Sequence, residues 1–162
     1  MNLSIPFSNN ADQIIPNVWL GNLKAAQDEQ FLKNAGIQAV FNCTKDAPFH
    51  SSVRRRYRVP VDDNLQEEEI RNLELWSYET VYKLMKEYKE GRPILIHCHA
   101  GMQRSPAVTA MFLMALYRMS ADQAKAYIRN KRPIAFFYQA NFEKAIRGFE
   151  RSLSKNLIEG IE

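Results

Sequence analysis

Pro93 to Tyr117, PILIHCHAGMQRSPAVTAMFLMALY, constrains the fold more tightly than any other stretch of the chain. Pro93 to Ile96 is an apolar run that stops at His97-Cys98. A short loop, His99 to Gln103, carries one glycine and leads to Arg104 and Ser105. Ala107 to Leu116 is apolar and too long for an ordinary strand, so a helix is expected there. It is apolar on every side, which places that helix in the middle of the molecule. Pro106 falls in its first turn, where a missing N–H does no harm. Strand, tight turn and helix, with a cysteine at the strand end and an arginine at the helix start, describe a site for an anion.

The rest of the chain bounds what can surround this turn. Its 162 residues suit one domain with a real core, expected over 1–162 with the folded part at about 14–153 and flexible ends. Hydrophobic residues make up 46% and charged residues 25%, the balance of a soluble globular protein. No apolar run approaches the roughly 20 residues of a membrane span, and Met1 to Asn10 lacks a signal pattern. The formal charge of +4 fits an anionic substrate but is too diffuse for a nucleic-acid binder. Arg54-Arg55-Arg56-Tyr57-Arg58 is the densest basic run and reads as a solvated loop or strand edge. Two cysteines, Cys43 and Cys98, form no disulfide framework; a reducing cytoplasmic setting, with a nuclear one as the alternative, is expected.

Taken in order, Ile14 to Asn22 reads as a short strand followed by a turn. Ala25, Ala26, Phe31, Leu32 and Ala35 suit one face of a helix from Lys24 to Asn34, with Gly36 as its left-handed cap. Ile37 to Cys43 is a buried strand. Tyr57, Val59 and Val61 alternate with Arg58 and Pro60, as in a half-buried strand whose proline places it near an edge. Asn64 and Glu67 resemble a helix start, and Ile70, Leu73, Ser77, Val81, Leu84, Met85 and Tyr88 form the stripe of a long helix closed by Gly91. Ser120 and Gln123 make a capping box for a helix from Ala121 to Lys131, which Pro133 ends. Phe142, Ala145, Ile146, Phe149 and Leu153 supply the stripe of a last helix, expected to fray beyond Ser154. The sum is an α/β fold: a central mixed, mostly parallel sheet of about four to five strands, flanked by helices.

The N–H groups of a tight turn and of a helix start converge on one point, an oxyanion cradle strengthened by the helix dipole. Here the cradle would comprise His99, Ala100, Gly101, Met102, Gln103 and Arg104, whose guanidinium adds a planar fork for two phosphate oxygens. A cysteine held over the same point is expected to be a thiolate nucleophile. Ser105 is placed to hydrogen-bond the sulfur. A phosphate ester has a poor leaving group, so an acid must come from another loop; Asp62 and Asp63, at the end of a strand, are the first candidates and His97 is a second. His97, the last strand residue, is expected to point inward and fix the cysteine backbone.

The pattern H-C-x5-R-S, here His97, Cys98, Arg104 and Ser105, resembles the signature of cysteine-based protein tyrosine phosphatases. IPNVWLGN, GIQAVFNCT, YRVPVDDN, PILIHCHAGMQRSPAV and AKAYIRNKRP occur in the order found in the small dual-specificity phosphatases, so the resemblance runs from about Ile14 to Glu150. It implies hydrolysis of phosphotyrosine and phosphoserine/threonine in protein substrates through a cysteinyl-phosphate, without metal or other cofactor. The acid of that family matches Asp63, with Asp62 the alternative one residue away. The same chemistry on an RNA 5′-triphosphate, a phosphorylated sugar or a lipid is an alternative reading, and a phosphate-binding pseudoenzyme a further one.

The chain also departs from the family pattern. Met102-Gln103 replaces the small or hydroxylated residues usual before the arginine, and a glutamine at the rim would alter access. Ile134 to Tyr138 replaces a Pro-Asn turn, with aromatics that belong either to the core or to the flank of the site. The loop has no lysine, which argues against a phosphoinositide. Cys43 is expected to pack as a small apolar residue; the resemblance offers a protective disulfide with Cys98 as the other reading. Histidines 97 and 99 cannot readily join Cys98 around one metal ion, because adjacent strand residues face opposite ways.

Overall fold

The structure, a computed structural model, describes residues 5–158. The frame is a five-stranded sheet in the order β1-β2-β5-β3-β4. Its strands are β1 Ala11–Ile15, β2 Val18–Gly21, β3 Ala39–Asn42, β4 Arg55–Arg58 and β5 Ile94–His97. β1 is antiparallel to β2, and all other pairings are parallel. The mixed, mostly parallel sheet expected from the sequence is therefore present.

Alternation explains how the sheet is clothed. In the three inner strands Val18 and Leu20, Ala39 and Phe41, and Ile94 and Ile96 face one core, while Trp19, Val40 and Leu95 face a second, smaller one. Parallel strands buried on both faces read as continuous apolar runs, which makes β3 and β5 visible in the sequence. The smaller core is closed by α1 Leu23–Ala26 and α2 Glu29–Asn34, through Ala26, Phe31 and Leu32. The larger is closed by α3 Glu67–Lys89, α4 Arg104–Tyr117, α5 Ala121–Lys131 and α6 Glu143–Ile158. From Arg104 to Met114 every residue of α4 is buried, so the apolar segment is the central helix it is expected to be. No described helix is long and apolar enough to cross a membrane.

Three local expectations change. The Ile14–Asn22 segment is not one strand but the end of β1, a turn and β2, because Asn17 takes a left-handed conformation (φ 70°) and turns the chain into a hairpin. The Lys24–Asn34 helix is two helices, since Asp28 accepts a hydrogen bond from the Phe31 N–H and starts α2 afresh. The β4 strand starts two residues and ends three residues earlier than the Tyr57–Val61 alternation suggests. Pro60 has no N–H to continue the ladder, and pairing ends after Val59 N–H reaches the Asn42 carbonyl. The last helix runs to Ile158; of the ends expected to be flexible outside about 14–153, residues 1–4 and 159–162 lie outside the described residues.

Other local readings hold. Gly36 and Gly91 have positive φ after α2 and α3, and the Ser120–Gln123 capping box is complete. The arginine run lies on β4, an outer strand, where charge discourages further strand pairing. It is tied to α3 through buried Glu87, which accepts from Arg55 at 2.8 Å, Arg92 at 2.9 Å and the Tyr57 hydroxyl. Burial pushes the Glu87 carboxyl up, yet these three donors hold it below the ordinary value.

Because α4 begins at Arg104, its packing fixes where the turn before it ends. Phe112, fully buried, packs edge-on against Tyr88 of α3, with ring centroids 5.8 Å apart. Phe112→Ala should cost about 3–5 kcal/mol of unfolding free energy, read as a lowered midpoint in urea titration.

Candidate active site

The carboxyl ends of parallel strands are where an open α/β sheet displays its functional loops. Four segments meet at that edge: the start of α1 after β2, Cys43 after β3, Val61 to Asp63 after β4, and the His97–Ser105 turn after β5. Gly21, His97 and Asn42 stand side by side in register, so the residues that come after each begin level with one another.

The turn is held by its carbonyl groups. The Cys98 oxygen lies 3.2 Å from His97 Nδ1, and the His99 oxygen accepts from Leu23 N–H at 3.0 Å. Arg132 donates to the Ala100 and Gly101 oxygens at 3.3 and 3.0 Å. Phe136 N–H reaches the Met102 oxygen at 2.7 Å, and Ala107 N–H the Gln103 oxygen at 3.0 Å. Among the described residues, the backbone N–H groups of His99 to Gln103 meet no acceptor. A turn whose carbonyls all point away and whose amides are all unused has the form of an anion cradle. Gly101 has φ 67°, and a Cβ there would lie 2.6 Å from both Arg132 Nη2 and the Gly21 oxygen, so only glycine closes the turn.

Cys98 is 2% exposed; its sulfur lies 3.1 Å from Ser105 Oγ, in a hydrogen bond that either atom can donate, and accepts from Ser105 N–H at 3.5 Å. Arg104 is 8% exposed and donates through Nη1 to the Val61 oxygen at 2.9 Å, while its buried Nε has no partner among the described residues. No carboxylate pairs with it among the described residues. A buried guanidinium without a counter-ion is expensive unless an anion occupies the site.

The two acidic candidates part company. Asp62 makes an ion pair with Lys45 at 3.2 Å, and its N–H donates to Glu69 at the start of α3. Asp63 is exposed and accepts from Asn141 Nδ2 at 3.0 Å, on the segment that comes after the aromatic run. Of the residues predicted to form the site, Cys98, Ser105 and Arg104 are brought together with the His99–Gln103 turn. The segment after β4 that carries Asp63 is tied to them at Val61, whose carbonyl accepts from Arg104.

Three features escape or contradict the sequence reading. Arg132, wholly buried, clamps the turn and pairs with Asp12 at 2.7 Å; its only trace in the sequence is an arginine beside the helix-ending Pro133. Gln103 does not sit at the rim. It is 4% exposed, and its amide is turned away from the cradle to bond the backbone of residues 137–141. The aromatics divide: Phe136 joins the core while Tyr138 is exposed. Cys43 is buried as expected; burial, with Cys98 beside it and against the pull of Arg104, pushes its thiol well up, so it stays protonated at neutral pH. Both cysteines are free thiols.

His97 points inward, as expected, with its Nε2 unpartnered. Burial lowers its pKa to about 4. The unfolded chain therefore takes up a proton near pH 6.5 that the folded protein refuses until about pH 4. Stability should be full above pH 7 and fall by about 2 kcal/mol between pH 7 and 5 from this group alone. His97→Asn should flatten that part of the profile, measured by denaturant titration at the two pH values.

Comparison with known proteins agrees with this geometry. The family described as dual specificity phosphatase, catalytic domain, matches residues 18–152. Human dual specificity protein phosphatase 2 is 30% identical over 123 residues, covering 75% of this chain and 38% of that protein. Tyrosine-protein phosphatase vhp-1 of Caenorhabditis elegans is 29% identical over 95% of this chain and 23% of its own length. The chain thus spans well under half the length of these curated relatives. Among solved structures, human DUSP28 superposes with a TM-score of 0.78 at 25% identity, covering 93% of this chain and 99% of that one. A mouse putative dual specificity phosphatase complexed with zinc tungstate gives 0.79 at 26% identity, covering 98% and 97%. With a family match over most of its length and a shared fold, this chain belongs to the dual specificity phosphatase catalytic-domain family.

Proposed function

We propose that the domain hydrolyses phosphate monoesters on phosphotyrosine and phosphoserine/threonine residues of proteins, through a cysteinyl-phosphate. The observation that carries this reading is the buried Arg104, without a carboxylate partner among the described residues, at the end of a turn that starts at Cys98 and whose amides meet no acceptor among those residues. A tetrahedral dianion supplies the acceptors that the guanidinium and the amides lack, and sets its phosphorus before the sulfur.

In the first step the Cys98 sulfur attacks phosphorus and the P–O bond to the substrate breaks. Protonated Asp63 gives its proton to the departing oxygen, so no alkoxide or phenoxide is expelled. The cradle amides and the Arg104 fork hold the non-bridging oxygens as charge redistributes among them. In the second step Asp63, now a carboxylate, takes a proton from a water that attacks phosphorus. The P–S bond breaks, inorganic phosphate leaves, and the Ser105 hydroxyl and N–H stabilise the departing thiolate. Asp63 suits the acid role better than Asp62, whose carboxylate is already paired with Lys45. The mouse relative is complexed with zinc tungstate, whose tungstate is a tetrahedral oxyanion like phosphate. Two free thiols fit a reducing, cytoplasmic setting.

Cys98→Ser should abolish turnover of a small aryl phosphate, and vanadate should inhibit the unaltered protein. Asp63→Ala should lose about 10²–10³-fold in turnover while still binding substrate. Asp62→Ala should lose less than about tenfold; the reverse ranking would move the acid by one residue. A panel of phosphotyrosine peptide, phosphothreonine peptide and RNA 5′-triphosphate tests the substrate class, and preference for the RNA would displace the protein-phosphatase reading.

A further inference from the structure

The glutamine that precedes Arg104 has every hydrogen-bonding atom of its side-chain amide in use. Gln103 Nε2 donates to the carbonyls of Phe137 at 3.0 Å and Gln139 at 2.9 Å, and its Oε1 accepts from the Asn141 N–H at 2.8 Å. The three bonds fix residues 137–141 against the phosphate cradle, at a side chain 4% exposed. The Phe136 N–H bond to the Met102 carbonyl adds a fourth tie one residue earlier. At the far end of this latch the Asn141 amide donates to Asp63 Oδ1 at 3.0 Å. A continuous path of hydrogen bonds thus runs from the residue next to the guanidinium to the carboxyl across the site, joining residues 38 and 78 apart in sequence.

We infer that Asn141 is a positioning residue for Asp63, held in place by the Gln103 latch. The inference rests on the reading of Asp63 as the general acid. Among the described residues Asp63 has no ion-pair partner, and it sits on an exposed segment between β4 and α3. Two ties hold the residues before it: Arg104 at the Val61 carbonyl and Glu69 at the Asp62 N–H. Neither touches the Asp63 carboxyl, which is free to rotate unless one of its oxygens is engaged. Asn141 engages Oδ1 and leaves Oδ2 to carry and exchange the proton. Being uncharged, it orients the carboxyl without supplying the full counter-charge that Lys45 presents to Asp62. Because Gln103 belongs to the cradle itself, the acid is indexed to the bound phosphate and not merely to the sheet.

The experiment separates orientation of the acid from a general loosening of the domain. An acid matters more as the leaving group becomes more basic, so kcat/KM is measured on phenyl phosphate and on 4-nitrophenyl phosphate. Asn141→Ala should lower kcat/KM about 5- to 10-fold on phenyl phosphate, with a clearly smaller loss on the nitrophenyl ester. In an Asp63→Ala background the same substitution should have no further effect on either substrate. Gln103→Met, which removes the latch with little change in volume, should reproduce the leaving-group dependence and also vanish in the Asp63→Ala background. Equal losses on both esters, or losses that persist without Asp63, would assign Asn141 a purely structural part and overturn the inference. No loss in Asn141→Ala overturns it as well. If Asp63→Ala itself shows no leaving-group dependence, the acid assignment fails and takes this inference with it, an outcome distinct from failure at Asn141 alone.

Discussion

A peptide turn has as many carbonyls as amides, and a turn that binds an anion must find somewhere else to put the carbonyls. In this chain that requirement organises the surrounding structure. The oxygens of residues 98 to 103 are taken by His97, Leu23, Arg132, Phe136 and Ala107, which come from four different places in the sequence. Each donor turns one oxygen outward and so turns the neighbouring N–H inward. The cradle is therefore a property of everything packed behind it. The depth of α4 has the same origin, because a helix start that receives an anion must be rigid and shielded from water.

Charge is distributed by the same logic. Two arginines lie at the turn with opposite tasks. Arg132 is wholly buried but compensated, with Asp12 at 2.7 Å and backbone oxygens around the rest of its guanidinium. Arg104 is buried and uncompensated, with one backbone acceptor and an orphaned Nε. Burying a paired charge is tolerable, whereas burying an unpaired one stores a demand for a ligand. The pair shows how one turn can be held firmly from behind while remaining unsatisfied in front.

Periodicity and capping make most of the architecture legible from residues alone. Ile94 to His97, Ala39 to Asn42, the α3 stripe and the Ser120–Gln123 cap all depend on neighbours within a few positions, and all stand as expected. The local misreadings share a cause. Asn17 in a left-handed turn, Asp28 restarting a helix and Pro60 ending a ladder are single-residue decisions inside otherwise continuous patterns. A window that averages over about ten residues passes over them.

The sequence by itself determined that Cys98, Ser105 and Arg104 would meet around a tight turn, because residues 98 to 103 must join a buried strand directly to a buried helix and leave the chain no other course. It also placed an acidic pair beyond β4 and left Asp62 and Asp63 unresolved. Tertiary structure gives the two different surroundings: Lys45 pairs with the first and Asn141 donates to the second, and Asn141 lies 78 residues from its partner. It likewise sent the Gln103 amide away from the rim and brought Arg132 to the back of the turn from 120 residues beyond Asp12. Contacts of that span have no local signature. They exist only once the sheet and its helices have fixed which distant segments share an edge.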